Sequence, residues 1–599
     1  MGLFQKALET YECFEKKAGV PEVGHATLMP VSHIMQKAQV EISIDIEGRF
    51  CSAVLVDKEN QKTIIPATVE SAGRSGKVIA PHPLSDQLQY LTIIDNTNKE
   101  KYESYVKELE AWADSEYSHP KVKAVLQYIK KGNILKDLAD NDIIALDSAG
   151  KLLPDKGYEK YMIRWRVLGD SNNNITACWE DKTLFAAYTA YYNSIIKNKD
   201  ADLCMLDGKL DVVLENNPKG IVAANYGAKL ISANDSSGFT YRGRFTENRQ
   251  AATIGYHASQ KAHNALQWLA SDQGIIIGGR TFICWNPKGN KVPVQANPMN
   301  FGNRPTAATP TDYLKDLRET IFSYRNALPP NDDVIIASFD AATTGRLSVV
   351  YYNELKASDF LDRVEGWYKS CCWYNWFEKK LYVQSPLITD IVRFAFGVER
   401  KGQNKIEIDD RVYKEQVQRL YRCVVDAVKI PVDIVKALAN RASMPLAYEY
   451  ANRGRLLFIT CAVVRKYHND ILNKEEWTMS LNPDSHDRSY QFGRLLAVME
   501  KIERDTYDKD EMREPNAIRM QSVFCERPLH VSRILNERLI SYMERLPVKS
   551  RAFYRNIISS IMEKISDSPA ADINKPLEDT YFLGYYLQRL ELYKPANKE

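Results

Sequence analysis

The sequence lacks the short motifs that accompany many catalytic and nucleotide-binding sites. It contains no Gly-x-x-x-x-Gly-Lys-[Ser/Thr], no Gly-x-Gly-x-x-Gly, no His-Glu-x-x-His and no Gly-x-Ser-x-Gly. His257 and His263 are six residues apart, so they do not share a helix face as paired metal ligands would. The lone pair His486-Asp487 is interpreted as a helix N-terminal cap. We therefore expect a chain that does not catalyse a reaction by itself.

The cysteines lack the spacing of a metal site. Among the ten there is no Cys-x-x-Cys pair and no cluster with histidine. Cys371 and Cys372 are neighbours in an aromatic run, where buried thiols are the expected role. No zinc site is indicated, and we predict no metal or other cofactor.

Long apolar runs and targeting segments are also missing. No stretch of eighteen apolar residues exists, and the N-terminus has no signal-like hydrophobic region. The Met-Gly start is followed by Lys6 where a myristoylation signal needs Ser or Thr. These absences predict a soluble cytoplasmic protein without a membrane partner.

Size and charge set broad limits. The 599 residues are too many for one core and predict two to four domains. A net charge of +3 is too small to indicate nucleic-acid binding by itself, so the distribution of charge has to decide.

The basic residues concentrate in one glycine-containing part of the chain. Residues 219–304 hold ten Lys/Arg against three acids. Within 219–244, glycines that permit close backbone approach alternate with cationic, amide and hydroxyl donors and with aromatic stacking faces. This composition favours a surface that binds nucleic acid, with an ordinary solvated charged face as the alternative.

The first part of the chain predicts mixed secondary structure. The alternation in 40–46 and 52–56 indicates a pair of strands, and 63–69 a further strand that Pro66 places at an edge. Helical spacing follows in 100–145, and 71–83 forms a second loop of glycine and basic residues. We predict an α+β region at residues 1–346 with short antiparallel strands and long insertions.

The pattern of apolar residues in the sequence changes after about residue 347. Periodic apolar stretches at 411–440, 451–467 and 490–504 predict helices, and 488–589 predicts four or five antiparallel helices separated by proline-containing breaks. We divide this part into a helical connecting region at 347–478 and a C-terminal helical bundle at 479–599. Residues 519–564 hold nine Lys/Arg and four acids, which indicates either a stripe that follows a nucleic-acid backbone or a solvated face.

Several long strings resemble the large subunit of type I-C CRISPR effector complexes (Cascade). The likeness covers most of the chain and also extends to its length and order of domains. The matching strings are GIVAANYGAKLISANDSSGFTYRGRF at 220–245, ASQKAHNAL at 258–266, RTFICWNPK at 280–288, GRLSV at 345–349, RSG at 74–76 and PHPLSD at 81–86.

The resemblance implies a function and a set of partners. Such a subunit lies beside the 5′ handle of the CRISPR RNA, among the backbone and handle-binding subunits. It recognises a protospacer-adjacent motif in double-stranded DNA and helps to open the duplex into an R-loop. A separate helicase-nuclease then docks on it, so the subunit does not cut DNA. Guide pairing supplies the remaining sequence specificity, as in related RNA-guided systems.

The resemblance also directs attention to particular residues. For DNA and motif binding we nominate first Asn225, Lys229, Asn234, Ser236, Arg242 and Arg244, and second Arg74, Ser75 and Lys77. The alternative for each is a loop residue that bonds its own backbone, and the loop of Arg74 could instead face a neighbouring subunit. Phe239 and Tyr241 are the candidates for a wedge that separates the strands.

The C-terminal bundle resembles the separate small subunit of other type I complexes. The resemblance implies a second product from an internal start, for which Met479 is the candidate, because Met499 would cut into a predicted helix. An ordinary inter-helix methionine is the alternative. Small subunits of this kind would hold the displaced strand, here through Arg519, Arg533, Arg551 and Arg555.

Two other functions remain open at this stage. One is a stand-alone DNA nuclease, and the other is a structural scaffold that binds only guide RNA and neighbouring proteins.

Overall fold

The computed structural model is organised as two compact units. It describes residues 2–594 apart from 75–77, 149, 154–155, 172, 214, 224–226, 233–241, 291, 293–305, 378–379, 401, 403–404, 472–475 and 509–510. The first unit comprises Met1–Ile276, Arg280–Asn290 and Ile335–Glu354, and the second comprises Ile277–Gly279, Lys291–Val334 and Leu355–Glu599.

The first unit mixes helices and short strands. Its helices are α1 (Leu3–Phe14), α2 (Val69–Gly73), α3 (Leu88–Leu91), α4 (Lys99–Ala113), α5 (Pro120–Lys130), α6 (Ile134–Asp140), α7 (Lys182–Ile196), α8 (Asn248–Ala251) and α9 (Tyr256–Gln273). Its strands are β1 (His33–Lys37), β2 (Val40–Asp45), β3 (Phe50–Leu55), β4 (Lys62–Pro66), β5 (Ile163–Leu168), β6 (Ala201–Leu203), β7 (Leu210–Val212), β8 (Ile275–Ile277), β9 (Arg280–Trp285) and most of β10 (Asp333–Thr343) and β11 (Arg346–Lys356).

A three-stranded sheet in the order β3-β2-β5 lies in the core of this unit. β2 pairs antiparallel with β3 and parallel with β5, so its position is central. Val40, Ile42 and Ile44 are fully buried on β2, as is Trp165 on β5. The indole N–H of Trp165 donates to the carbonyl of Leu84 at 2.8 Å, which satisfies a polar group that burial would otherwise leave unpaired.

A second sheet carries the connection to the candidate site. Its order is β11-β10-β9-β8, and β9 pairs antiparallel with β10. Every residue of β9 is buried, which fits a strand that is covered on both faces. Helix α9 contacts β9 and α1, and it begins directly after the segment richest in glycine and basic residues.

The second unit is mainly helical. Its helices are α10 (Pro310–Ala327), α11 (Ala357–Ser370), α12 (Ile388–Phe396), α13 (Asp410–Val425), α14 (Val432–Ala442), α15 (Tyr450–Ile471), α16 (Arg488–Arg504), α17 (Asn516–Arg519), α18 (Gln521–Glu526), α19 (Pro528–Arg545), α20 (Val548–Ser566) and α21 (Tyr581–Leu592). Two hairpins accompany them, formed by β12 (Trp373–Phe377) with β13 (Lys380–Gln384) and by β14 (Val398–Arg400) with β15 (Lys405–Glu407).

Helix α16 is the centre of the C-terminal bundle. It packs against α19, α20 and α21, and almost all of its residues are buried. The crossing with α21 is exceptionally close at two glycines. A Cβ added at Gly493 would lie 1.9 Å from the carbonyl oxygen of Tyr581, and one at Gly584 would lie 2.0 Å from that of Tyr490. The two backbones are in contact because neither glycine has a side chain.

The predicted α+β class, with a mixed N-terminal region and a helical C-terminal bundle, is confirmed. The predicted strands at 40–46, 52–56 and 63–69 correspond to β2, β3 and β4, and among the described strands β4 pairs with β1 alone, which agrees with an edge strand. The region 347–478 also contains strands that its helical periodicity did not predict. The boundaries after residues 346 and 478 stay a prediction.

Two interpretations of local sequence are also confirmed. Asp487 is the N-cap of α16 and accepts the N–H of Tyr490 at 2.7 Å. Cys371 and Cys372 are buried thiols. Among the described helices, none combines the length and the hydrophobicity needed to cross a lipid bilayer.

Candidate nucleic-acid interface

Arg74 is held by an ion pair at the start of the first basic loop. Its guanidinium donates to both carboxylate oxygens of Asp86 at 2.8 Å and to the carbonyl of Ala80 at 3.0 Å. Asp86 is fully buried, and it also accepts the backbone N–H groups of His82 and Gln87. The Arg74 guanidinium further stacks on the ring of Tyr90, with its carbon 4.5 Å from the centroid. This geometry ties Arg74, which precedes Ser75 and Lys77 in the sequence, to Ala80 and Asp86.

His82 lies near a cation of each basic segment, Arg74 in the first and Lys219 in the second. Its side chain is buried, and burial lowers its pKa to about 4, with smaller contributions in the same direction from the positive charges of Arg74 and Lys219. Both cations therefore lie within electrostatic reach of one imidazole. The fold thus places Arg74 and Lys219 near the same side chain, although they are far apart in the sequence.

Lys219, Lys229 and Arg346 are in register on three adjacent chain segments. Lys229 forms an antiparallel bridge with Lys219 and a parallel bridge with Arg346. The parallel bridge consists of the Lys229 N–H donating to Gly345 at 3.1 Å and the Leu347 N–H donating to Lys229 at 3.0 Å. Residues paired in this way project side chains from the same face, so three cationic residues form a row across the three segments.

Helix α9 supports this row from one side. Ser259 donates its hydroxyl proton to Asn217 at 2.7 Å, close to Lys219 in the chain. Burial lowers the pKa of His263 to about 4, and the charge of Lys229 acts in the same direction. His263 is buried and its Nδ1 bonds to the carbonyl of Ser259, so this histidine forms a local hydrogen bond and does not reach the surface.

Arg242 and Arg244 lie in the turn before α8. Arg242 donates to the carbonyl of Thr246 at 3.1 Å and is half-buried. Arg244 is exposed, and its guanidinium lies 5.2 Å from the centroid of the Phe245 ring. An exposed arginine beside an aromatic ring can contact both phosphates and bases.

Several other cations of the basic stretch are neutralised by acids. Arg280 is buried on β9 and donates to Asp340 on β10 at 3.0 Å. Arg249 pairs with Asp200 at 3.2 Å. Lys261 on α9 pairs with Glu15 at 2.9 Å. The charge excess counted along the sequence therefore overstates the charge that this region can offer to a ligand.

Some nominated residues lie outside the described residues. The set comprises Ser75, Lys77, Asn225, Asn234, Ser236, Phe239 and Tyr241. The predictions for motif reading and for the strand-separating wedge stay predictions. The described neighbours Arg74, Lys229 and Arg242 flank these segments in the sequence.

His257 is engaged in a polar network of its own. Its Nδ1 bonds to Asp211 at 2.9 Å and its Nε2 to Asn193 at 2.8 Å. Asp211 also accepts the backbone N–H of His257, and these bonds hold the pKa of Asp211 below its usual value despite burial. Within the described ranges, no group of three His, Cys, Asp or Glu side chains is arranged to hold a metal ion.

The basic residues nominated in the C-terminal bundle belong to the second unit. Arg519, Arg533 and Arg555 are exposed on α17, α19 and α20, and in the described part of the chain none of them pairs with an acid. Arg551 on α20 is half-buried, and its Nε has no hydrogen-bond partner among the described residues. Phe553 is exposed between Arg551 and Arg555 and offers an aromatic face.

Met479 lies in the connection between α15 and α16. It is buried, and its sulfur is 3.8 Å from the sulfur of Cys372. Helix α16 begins at Arg488, so a product starting at Met479 would contain the whole helix, whereas Met499 lies inside it. The prediction that Met499 would cut into a helix is confirmed.

Three residues of the interface were not nominated from the sequence. Arg346 and His82 lie in the strings GRLSV and PHPLSD that carry the family resemblance, and Lys219 directly precedes the string that begins at Gly220. Their proximity could not be inferred, because it depends on pairing between segments that are distant along the chain.

A comparison with curated proteins found no match. Residues 8–593 match the profile of one protein family, described as CRISPR-associated protein (Cas_Csd1). The match spans both units, including the basic loops, α9 and the C-terminal bundle. The chain therefore belongs to the CRISPR-associated Cas_Csd1 family.

Proposed function

We propose that this protein is the non-catalytic large subunit of a type I-C RNA-guided surveillance complex. In this proposal it recognises the protospacer-adjacent motif in double-stranded DNA and promotes opening of the duplex into an R-loop. It also docks the helicase-nuclease that cuts the target. Its partners are CRISPR RNA, target DNA, the backbone and handle-binding subunits, and small subunits.

One observation carries the DNA-binding part of the proposal. Arg74 and Lys219 both lie within electrostatic range of His82, and the cationic residues Lys219, Lys229 and Arg346 are paired in one row. Duplex recognition needs cations for the backbone and adaptable polar groups for base edges. The polar candidates Asn225, Asn234 and Ser236, which lie outside the described residues, are close to Lys229 in the sequence.

The C-terminal bundle is proposed to support the displaced strand. Exposed arginines on α17, α19 and α20, with Phe553 among them, combine phosphate attraction with a stacking face. The bundle core is formed by residues from Phe492 to Tyr585, all of which follow Met479. This supports the proposal that residues 479–599 are also made separately.

An internal start can be tested directly. Met479→Leu should abolish a short product while the full-length chain is retained, and Met499→Leu is the matched control. Intact mass spectrometry of the purified complex distinguishes the two products. Persistence of the 479–599 product in Met479→Leu would contradict this start site.

Motif recognition is tested with the complex assembled from guide RNA and all subunits. It is bound to a matched duplex with randomised flanking bases, with this chain present or omitted, and the bound fraction is sequenced. We expect a short motif to be enriched only when the chain is present. Equal binding to every flank would contradict motif recognition and favour a scaffold.

A second comparison separates a DNA reader from a scaffold and from a nuclease. Arg242→Ala should leave assembly intact and weaken binding to double-stranded DNA, whereas a scaffold variant would fail to assemble. The isolated chain is incubated with DNA and magnesium or manganese, and we expect the DNA to remain intact. Cleavage that survives purification would contradict the non-catalytic assignment.

A further inference from the structure

We propose that Lys219 and Lys229, in register with Arg346, clamp the phosphates of the duplex and contribute no base discrimination. This inference rests on the proposed function and assigns the division of labour within that site. Phosphate contacts position a protein on DNA, while contacts to base edges carry the sequence information. The row of cations has the properties of a phosphate contact.

The pair of Lys219 and Lys229 is an unfavourable arrangement without an anion. Like charges directly opposite each other on paired segments are destabilising. The pKa of Lys229 is lowered, first by burial and then by the charge of Lys219. The hydrogen-bond partner that the structure gives the Lys229 ammonium is the neutral side-chain oxygen of Asn216 at 3.3 Å. A bound anion would offset both costs.

Nearby acids do not neutralise the two lysines within the described part of the chain. Asp86, the acid next to His82, is occupied by Arg74 and by two backbone N–H groups. The buried neutral histidines His82 and His263 lie within electrostatic range of Lys219 and Lys229, respectively, and His82 Nδ1 and His263 Nε2 have no hydrogen-bond partner among the described residues. The positive potential of Lys219 and Lys229 is therefore not cancelled by a described carboxylate.

The geometry suits a phosphodiester strand. Adjacent strands in a sheet are about 4.8 Å apart, so the backbone positions that carry the cationic side chains are spaced roughly 5 Å apart. Phosphates follow one another along each DNA strand at about 3.4 Å of helix axis, a comparable density of opposite charge. A lysine ammonium is a point charge on a flexible stem with three donors and no acceptor, so it pairs readily with phosphate oxygens, and among base edges it could contact only acceptors such as guanine O6 and N7.

The test uses the complete complex and duplexes that carry every flanking sequence. Lys219→Gln, Lys229→Gln and the double variant are compared with Lys58→Gln, an exposed lysine elsewhere in the first unit. Each clamp variant should bind roughly tenfold more weakly at fixed salt, equally for all flanks. The slope of log affinity against log salt should become shallower by about 0.9 for each lysine removed.

A second measurement excludes loss of folding as the cause. Since each substitution relieves repulsion, the melting temperature of the free chain should be unchanged or higher in Lys219→Gln and Lys229→Gln. A lower melting temperature with failed assembly would overturn the clamp and give the lysines a structural role.

Two further results would also overturn the inference. An altered ranking of flanks in the variants would make the lysines base readers. An unchanged salt slope would show that they do not contact phosphate. If the wild-type complex binds all flanks equally, motif recognition fails, but the salt slopes still decide whether the clamp exists.

Discussion

Asp86 is a buried carboxylate that three neighbouring groups share. It accepts two hydrogen bonds from Arg74 and one each from the backbone N–H groups of His82 and Gln87. Its position explains how Arg74 and His82, which stand on either side of Gly76 in the sequence, are held to one carboxylate. The nominated DNA-binding residue Arg74 therefore has a structural partner, and its contact with DNA stays a prediction.

Asp86→Asn tests the structural role of this pair. The substitution keeps the volume but leaves Arg74 buried without a counter-charge, so we expect the free energy of unfolding to fall by about 3 kcal/mol. The free energy of unfolding of Arg74→Lys should lie between those of Asp86→Asn and the wild type, because lysine keeps the charge and loses the two-bond geometry. Chemical denaturation followed by circular dichroism measures both, with exposed Asp57→Asn as the control. Equal stability of all four proteins would contradict a structural Arg74.

Three buried histidines predict the response of the first unit to acid. Burial lowers the pKa of His33, His82 and His263 to about 4 in the fold. The unfolded chain takes up these protons near pH 6.5, so it binds more protons than the folded chain between pH 6.5 and about 4. The free energy of unfolding should therefore fall by about 2 kcal/mol per histidine between pH 7 and pH 5.

The pH dependence is measured by denaturant titration at several pH values. His82→Gln removes one of the three titrations. The fall in the free energy of unfolding between pH 7 and pH 5 should therefore be smaller by about a third. A stability that stays level from pH 7 to pH 5 would contradict the burial of neutral imidazoles.

At the scale of secondary-structure elements, the glycine contact between α16 and α21 organises the bundle. Gly493→Ala or Gly584→Ala would insert a methyl group within 2.0 Å of a backbone carbonyl oxygen, so the helices must separate. We expect a loss of about 3 kcal/mol, at the upper end of overpacking effects. Gly454→Ala on α15 is the matched control, since a Cβ there meets nothing within 4 Å, and it should be stabilising by about 0.5–1 kcal/mol.

Thermal unfolding of the full chain distinguishes these variants. A melting temperature for Gly493→Ala equal to that of Gly454→Ala would show that the two helices are not in backbone contact.

The helices were predictable from sequence because each is encoded locally. The apolar periodicity of 490–504 and the capping residue Asp487 lie within one short stretch and correspond to α16. The hairpins β12-β13 and β14-β15 were missed because short strands lack a period that separates them from loops. Sequence reasoning was weakest where pairing is non-local, as in β5, which lies parallel to β2 after the intervening helices.

The candidate site shows the same limit. Lys229 was nominated from its surroundings in the sequence, but its register with Arg346 depends on a segment that is distant along the chain. Arg280 contributed to the counted charge excess, although the fold buries it against Asp340. Composition can indicate that a segment is basic, whereas the three-dimensional pairing determines which of its charges remain available.

At the scale of the whole molecule, the proposed function divides DNA binding between the two units. The cation row belongs to the first unit, and the exposed arginines of α19 and α20 belong to the second. If the units bind different parts of the target DNA, charge reversal in one unit should leave DNA binding by the other unit intact.

We expect Arg533→Glu with Arg555→Glu to destabilise the opened target without changing motif preference. Each charge reversal removes a phosphate contact and adds repulsion, so the displaced strand should become more reactive to permanganate and the R-loop should dissociate faster as salt rises. Arg318→Glu, an exposed arginine on α10, is the matched control.

The lysine variants of the first unit should show the converse, with weak initial duplex binding and normal protection of a strand opened in advance. Loss of motif preference in the arginine variants would mean that the two units do not divide the work, because a backbone contact on the displaced strand carries no information about the flanking bases.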